Sequence, residues 1–599
     1  MPRLAAAPLP RACLLLAGVL LLALALRVWG LGWGLPSATH YFSYHPDESV
    51  VLEASSLPTM NVFTGQLLPH FYRYGSLQLY LVCFANTLAA LAGAVDIVPK
   101  DFAIWYPQWA KMYLIGRCLT VGMGVGTVFA VYRIGERLWG RRAGLMAALA
   151  LAVMPLHAQH SHFLTVDVPA TFWAMLSLLW AVRLATDDSK PLRAALWAGA
   201  FAGLAAATKY NLALAVLPLV VAVLIPTPPA PNPGGAGLEV ASRSSPPPVN
   251  GGRGRGVIFL GLAAFVFAFF LACPGAILEN AQFMRDLRFE AVHVQNVDDP
   301  TFRDTGSGFV YHIARNLDAG LGLPLLVLAL VSVGYALYKH ERGDGLLAAF
   351  ALPYYVLISL AAVRYARYTI PLLPILALWV GRMAADWSRL PRPTLRWFGM
   401  IAGAGALAWT LVAALWLVEA MAETDSRDEA LTWIRSHAAA SATFGFAAMP
   451  WFGTAPISPY FPMYQRGGWR AMTPPTEAAR YVYAGKDWDL DLLKSANPDF
   501  VILSEYDYAD AQRRGEAEAS AYLDYLTDAE HAHPYYEVAS YNYDDVGLLW
   551  RVRQVMQDSE GFHAVSLPTR DLPHDMLYPS PTITIYSHTP PQDGARKSP

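Results

Sequence analysis

Residues 131–186 read VYRIGERLWGRRAGLMAALALAVMPLHAQHSHFLTVDVPATFWAMLSLLWAVRLAT, and this stretch decides the fold. Two apolar runs, 143–157 and 168–185, meet at a polar turn that carries His157, His160, His162 and Asp167. Ahead of the first run stand Arg133, Arg137, Arg141 and Arg142. A helix that crosses a bilayer needs about 20 mostly apolar residues, and cytoplasmic connections collect Arg and Lys. The stretch therefore predicts an antiparallel pair of membrane helices, its basic end inside and its His/Asp turn outside.

The same reading, carried outward, predicts about eleven spans, the number of apolar runs near spanning length: 12–34, 109–132, 143–157, 168–185, 194–208, 210–225, 257–273, 318–338, 345–362, 368–386 and 397–420. With the N-terminus inside, each inner connection is basic: Lys190 and Arg193, then Arg243, Arg253 and Arg255, then Lys339 and Arg342, then Arg389, Arg392 and Arg396. That parity treats the apolar stretch 76–95 as a helix lying on or dipping into the membrane. Composition agrees: of 599 residues 55% are hydrophobic and 15% charged, and the mean hydropathy is +0.31. A net charge of −2 with no concentrated basic face argues against nucleic acid as a partner. The four cysteines make no CxxC pattern, so neither a disulfide framework nor a zinc knuckle follows.

Residues 226–256 are rich in Pro, Gly and Ser and have almost nothing to bury, which reads as a flexible cytoplasmic linker. Beyond 421 the pattern becomes that of a soluble domain. Helices are expected over 428–437 and 490–495, and strands over 443–447, 499–504, 535–541, 547–552 and 582–586. The expected fold class is thus an all-α polytopic membrane bundle, residues 1–420, with outer loops 35–108 and 274–317. An extracytoplasmic α/β domain, 421–599, follows it.

Three polar clusters emerge on the outer side. In His45-Pro46-Asp47-Glu48 the proline suits a first helical turn and the acids would sit at its positive end; plain helix capping explains the pattern equally well. In the second cluster Asp167 heads an apolar helix, where a lone acid is costly without a partner or a task. His160 and His162 point apart on a helix, so hydrogen bonding to loop backbone suits them better than a metal. The third cluster, Lys209 with Arg364, Arg367 and Tyr368, puts cations on the side that the positive-inside rule leaves poor in them, where they could hold a lipid phosphate. Snorkelling explains each cation taken singly. Residues 274–317 add an amphipathic segment with Arg285, Arg288, Glu290 and His293.

The segments LRVWGLGWGLP, HPDE, RYGSLQLYL, the stretch quoted above, TKYNLAL and RYTIPLLPILAL, in that order, resemble the bacterial GT-C glycosyltransferases of the protein O-mannosyltransferase (family 39) and aminoarabinose-transferase type. The resemblance covers roughly 20–420 and rests on the order of motifs that are individually weak. It implies a polyprenyl-phosphate sugar donor and inverting transfer to an acceptor hydroxyl or amine of a protein, glycan or lipid at the extracytoplasmic face of the inner membrane. It assigns the catalytic acids to Asp47, as general base, and Glu48, with Asp167 in support. Donor-phosphate candidates are Lys209, Arg364, Arg367 and Tyr368, then Arg73 and His293. Relatives often read K-P-P-L or H-P-P-L where this chain has Tyr74-Gly75-Ser76-Leu77. The aminoarabinose branch gathers acids and His around a metal where this chain has Arg73-Tyr74, so no cofactor is required and a divalent metal stays open. A transporter or flippase of lipid-linked substrates, or a silent assembly subunit, is the alternative. No inverted repeat favours transport, and the intact HPDE argues against silence.

Overall fold

The computed structural model describes residues 11–57, 59–187, 189–224, 251–450, 452–460, 480–483, 485–528, 534–542, 572–579 and 581–590. Among these, five helices are long and apolar enough to cross a membrane: Ala103–Trp139, Asp167–Thr186, Gly254–Ala272, Ala366–Trp387 and Pro393–Ala420. Shorter apolar helices are Cys13–Val28, Leu77–Leu91, Tyr210–Leu224 and Leu323–Lys339. Several expected spans fall short of full length because turns interrupt them. The run 143–157 breaks between Arg141–Val153 and Pro155–His160, where Met154 is extended ahead of a proline that starts the next helix.

Several boundaries differ from the sequence reading, two of them at helix starts by six or seven residues. The helix expected at 109 starts at Phe102, because Asp101 accepts the Ala103 N–H and caps it, so 102–108 are helical rather than loop. The helix expected at 257 starts at Gly251, six residues earlier, as the helix propagates from the apolar run back into the Gly/Arg stretch assigned to the linker. The remainder of that linker, 226–250, lies outside the described residues, as does the strand expected at 547–552.

Small residues let the bundle close. Pro191–Ala206 packs on both Asp167–Thr186 and Gly251–Ala272. Its Gly199-Ala200-Phe201-Ala202-Gly203 face lies so close to the third helix that a Cβ at Gly199 would collide with the Gly261 carbonyl, and one at Gly203 with that of Phe265. The main core is one continuous apolar cluster running from Ala23 on the first helix to Trp379 and Val380, and it takes in Met576 from the far end of the chain.

After the bundle, Asp425 caps the helix Ser426–His437. Five strands, β1 Phe444–Phe446, β2 Tyr481–Val482, β3 Phe500–Ser504, β4 Tyr536–Tyr541 and β5 Ile583–Ser587, form a mixed sheet of order β2-β1-β3-β5-β4. β1 runs parallel to β2 and β3, while β5 is antiparallel to β3 and β4. Helices Leu490–Ala496, Glu505–Arg514 and Ala517–Thr527 complete this unit. Just before β5, residues 572–578 leave the sheet and enter the bundle, which is how Met576 reaches the core.

Candidate functional site

The two acids of HPDE have opposite environments. His45 caps Pro46–Ala54, its Nδ1 accepting the Asp47 N–H at 3.2 Å. Asp47 and Glu48 then point to different sides of the first turn. Glu48 is fully buried, and four donors saturate its carboxylate: Arg117 twice, at 2.8 and 2.7 Å, the Ser43 hydroxyl at 2.5 Å and the Leu164 N–H at 2.6 Å. Arg117 spends another nitrogen on the carbonyls of Leu31 and Trp33. Burial works to raise the Glu48 pKa, yet Arg117 and these hydrogen bonds outweigh it and hold the group below the usual carboxylate range. Asp47 keeps 25% of its side chain exposed and lies 3.3 Å from the Arg367 guanidinium.

Arg367 is the hub. It begins the 3-10 turn Ala366–Leu372, and its guanidinium stacks 3.9 Å from the Tyr365 ring centre. It also lies 3.8 Å from Asp575 and donates to the Tyr578 hydroxyl at 3.3 Å. Beside it Lys209 pairs with Asp167 at 2.5 Å and lies over the Tyr368 ring. The close approach of Gly75 explains how the first loop reaches this corner. Its N–H donates to Thr208 O, and a Cβ there would strike the Ala207 carbonyl, so a glycine lets the loop dock on the Lys209 turn.

His160 is buried 4.0 Å from Asp575, with both ring nitrogens free of hydrogen bonds among the described residues. His45, wedged between the rings of Phe163 and Tyr578, is pushed down to about 4 by burial, against the pull of Glu48 and Asp47, and is neutral at pH 7. The ring nitrogens of His162 lie 2.9 and 2.8 Å from the carbonyls of Ala158 and Trp29, and the neutral ring donates to one of them, while His157 faces Arg27. Among the described residues no three of His, Cys, Asp and Glu gather to hold a metal ion. Arg73, which the sequence reading compared with the metal-binding position of the aminoarabinose branch, lies over the Phe289 ring.

The expected cations therefore divide. Arg367 and Lys209 join the acids, whereas Arg364 turns to the Thr305 hydroxyl at 2.6 Å and toward Tyr311. Arg73 and His293 flank Phe289, next to Glu290, whose carboxyl burial pushes up. Arg117, Asp575 and Tyr578 are the members of this neighbourhood that sequence reasoning missed. Arg117 hides inside a helical run as one charge among apolar residues, which is itself a usable signal. Asp575 has none: it lies over 200 residues from its partners.

Residues 114–231, which contain the whole stretch first quoted, match the family model described as dolichyl-phosphate-mannose-protein mannosyltransferase. The match covers this segment of the chain and is a similarity to that family. No curated protein matches the chain. Among solved structures it is similar to the archaeal oligosaccharyltransferase AglB from Archaeoglobus fulgidus in complex with an inhibitory peptide and a dolichol-phosphate: 13% identity, 86% of this chain and 72% of that one, TM-score 0.43. It is similar also to ArnT from Cupriavidus metallidurans bound to undecaprenyl phosphate, with 14% identity, 84% and 94% coverage and TM-score 0.43. The S. cerevisiae protein O-mannosyltransferase Pmt1-Pmt2 complex bound to its sugar donor matches at 16% identity over 50% of this chain and 37% of that one, TM-score 0.27.

Proposed function

We propose that the chain transfers a sugar from a polyprenyl-phosphate donor to an acceptor hydroxyl or amine with inversion, Asp47 acting as general base. The observation that carries this reading is the Asp47–Arg367 contact: a part-exposed carboxylate beside a fixed cation, next to a neighbouring acid whose lone pairs are all engaged. An attacking hydroxyl must lose its proton as it bonds to the anomeric carbon, and Asp47 is placed to take it. As the C–O bond to the phosphate breaks, the bond pair goes to the leaving phosphate, which departs as the polyprenyl monophosphate. Arg367 and Lys209 are the cations near enough to receive that added charge. Glu48 then holds the loop that presents Asp47, and Asp167 holds Lys209.

The family match supports a lipid-phosphate donor. In our reading the chain lies in the inner membrane with the site and the C-terminal unit on the extracytoplasmic face. The helix Asp167–Thr186 supports this polarity: it carries the Asp167–Lys209 pair at one end, while Asp187 just past the other meets Arg137.

The test is transfer by purified full-length protein from a panel of labelled polyprenyl-phosphate sugars. Asp47→Asn is expected to lower the rate by roughly a hundredfold or more, the usual scale for a lost general base, at an unchanged melting temperature. Full activity in that variant would remove Asp47 from the chemistry.

A further inference from the structure

The 3-10 turn Ala366–Leu372, which carries Arg367, has no local cap: Tyr365 precedes it and makes no side-chain capping bond. The first amides of a helix need an acceptor, and a carboxylate there also meets the positive end of the helix dipole. Asp575 supplies it from the other end of the chain. Its two oxygens accept the N–H groups of Ala366 and Arg367, each at 2.9 Å, and the carboxylate is fully buried. The same group stands 3.8 Å from the Arg367 guanidinium, so one residue fixes both the backbone and the charge of Arg367.

The segment that delivers it is itself clamped. The His574 carbonyl accepts the Tyr506 hydroxyl at 3.1 Å, the Met576 carbonyl accepts Gln159 Nε2 at 2.9 Å, and the Tyr578 carbonyl accepts Arg427 at 2.7 Å. Three separate elements thus hold alternate residues on both sides of Asp575. A guanidinium facing one carboxylate tends to close on it through two parallel hydrogen bonds. Held between two, Arg367 stays at 3.3 Å from Asp47 through a single nitrogen.

We propose that Asp575 is a positioning residue for sugar transfer: it holds Arg367 off full engagement with Asp47, so that the C-terminal unit completes the site in the bundle. This rests on the transferase reading above. Asp47 is thereby left able to accept the acceptor's proton, and Arg367 able to turn to the donor phosphate.

The experiment uses the full-length protein in detergent and combines a mutant cycle with hydrogen exchange. Asp575→Asn is expected to lower kcat/KM by roughly tenfold or more, the scale of a small misplacement of a reacting group, and to add little in an Arg367→Lys background, because residues acting through one another are not additive. Tyr506→Phe, which frees the His574 carbonyl and leaves Asp575 in place, should give a smaller loss with the same non-additivity. Exchange in a peptide covering 364–372 should quicken in Asp575→Ala while distant helices keep their protection. An active wild type whose losses are additive, or whose exchange at 366–367 is unchanged in Asp575→Ala, overturns this proposal alone. A wild type that transfers from no donor overturns the transferase reading and this proposal with it.

Discussion

Two short segments, HPDE at 45–48 and PHDM at 573–576, bring a carboxylate to the same arginine from opposite ends of the chain, and they use it differently. Asp47 sits one residue inside its own capped helix, part-exposed, and touches Arg367 through one oxygen. Asp575 is buried and spends both oxygens on backbone amides. A carboxylate with free lone pairs near a cleft can take a proton; one saturated by amides holds structure. Glu48, next to Asp47 in sequence, falls with Asp575 on the saturated side.

Breaking the saturated side should do the most damage to the fold. Arg117→Met leaves Glu48 buried without its counter-ion, and Glu48→Gln leaves Arg117 so. Either is expected to cost about 3–5 kcal/mol, seen as loss of monodisperse protein or a large drop in melting temperature. A variant of either kind that melts like the wild type would erase the distinction drawn between Glu48 and Asp47.

Acid should weaken the same region. Burial pushes His45 and His162 down to about 4, below the roughly 6.5 of an unfolded histidine. Between those values the unfolded chain binds more protons, so stability is full above about pH 6.5 and falls as pH drops toward 4, by about 3 kcal/mol for one such group. Glu48, whose pKa is lowered, loses stability in the same direction. A melting temperature flat from pH 7 to 4 would show that these rings are not held neutral.

Asp47→Asn should instead separate chemistry from fold, with its hundredfold rate loss equal to about 2.7 kcal/mol of barrier and little change in melting. The smallest effect is expected of Tyr578→Phe. It removes the hydroxyl that accepts from Arg367 at 3.3 Å while keeping the ring against His45, and should cost about 1 kcal/mol, the worth of one hydrogen bond, or roughly fivefold in rate. A loss as large as that of Asp47→Asn would promote Tyr578 into the mechanism.

Much of the bundle could be read from the chain because hydropathy over a helix length is a local property. Asp167 declared itself as a costly charge at the head of an apolar run, and Lys209 and Arg367 as cations on the side poor in them, whereas Asp47 read equally well as plain helix capping. The sheet was legible too: four of its five strands lie where β-branched and aromatic residues cluster, and only the two-residue β2 was too short to signal. Helix starts at Phe102 and Gly251 were not: they lie seven and six residues ahead of the expected spans, where a cap and helix propagation set the end.

By itself the sequence determined that the chain is rich in apolar helices, that residues 114–231 resemble the dolichyl-phosphate-mannose-protein mannosyltransferase family, and that strand patterns follow residue 421. Only the tertiary structure decided which acid of HPDE is free, that Arg364 faces Thr305 and not the acids, and that Asp575 caps the turn bearing Arg367. The reason is physical: hydropathy and propensity sum over neighbours in the chain. A carboxylate's role depends on which donors reach it, and here those donors lie 69, 116 and 208 residues away.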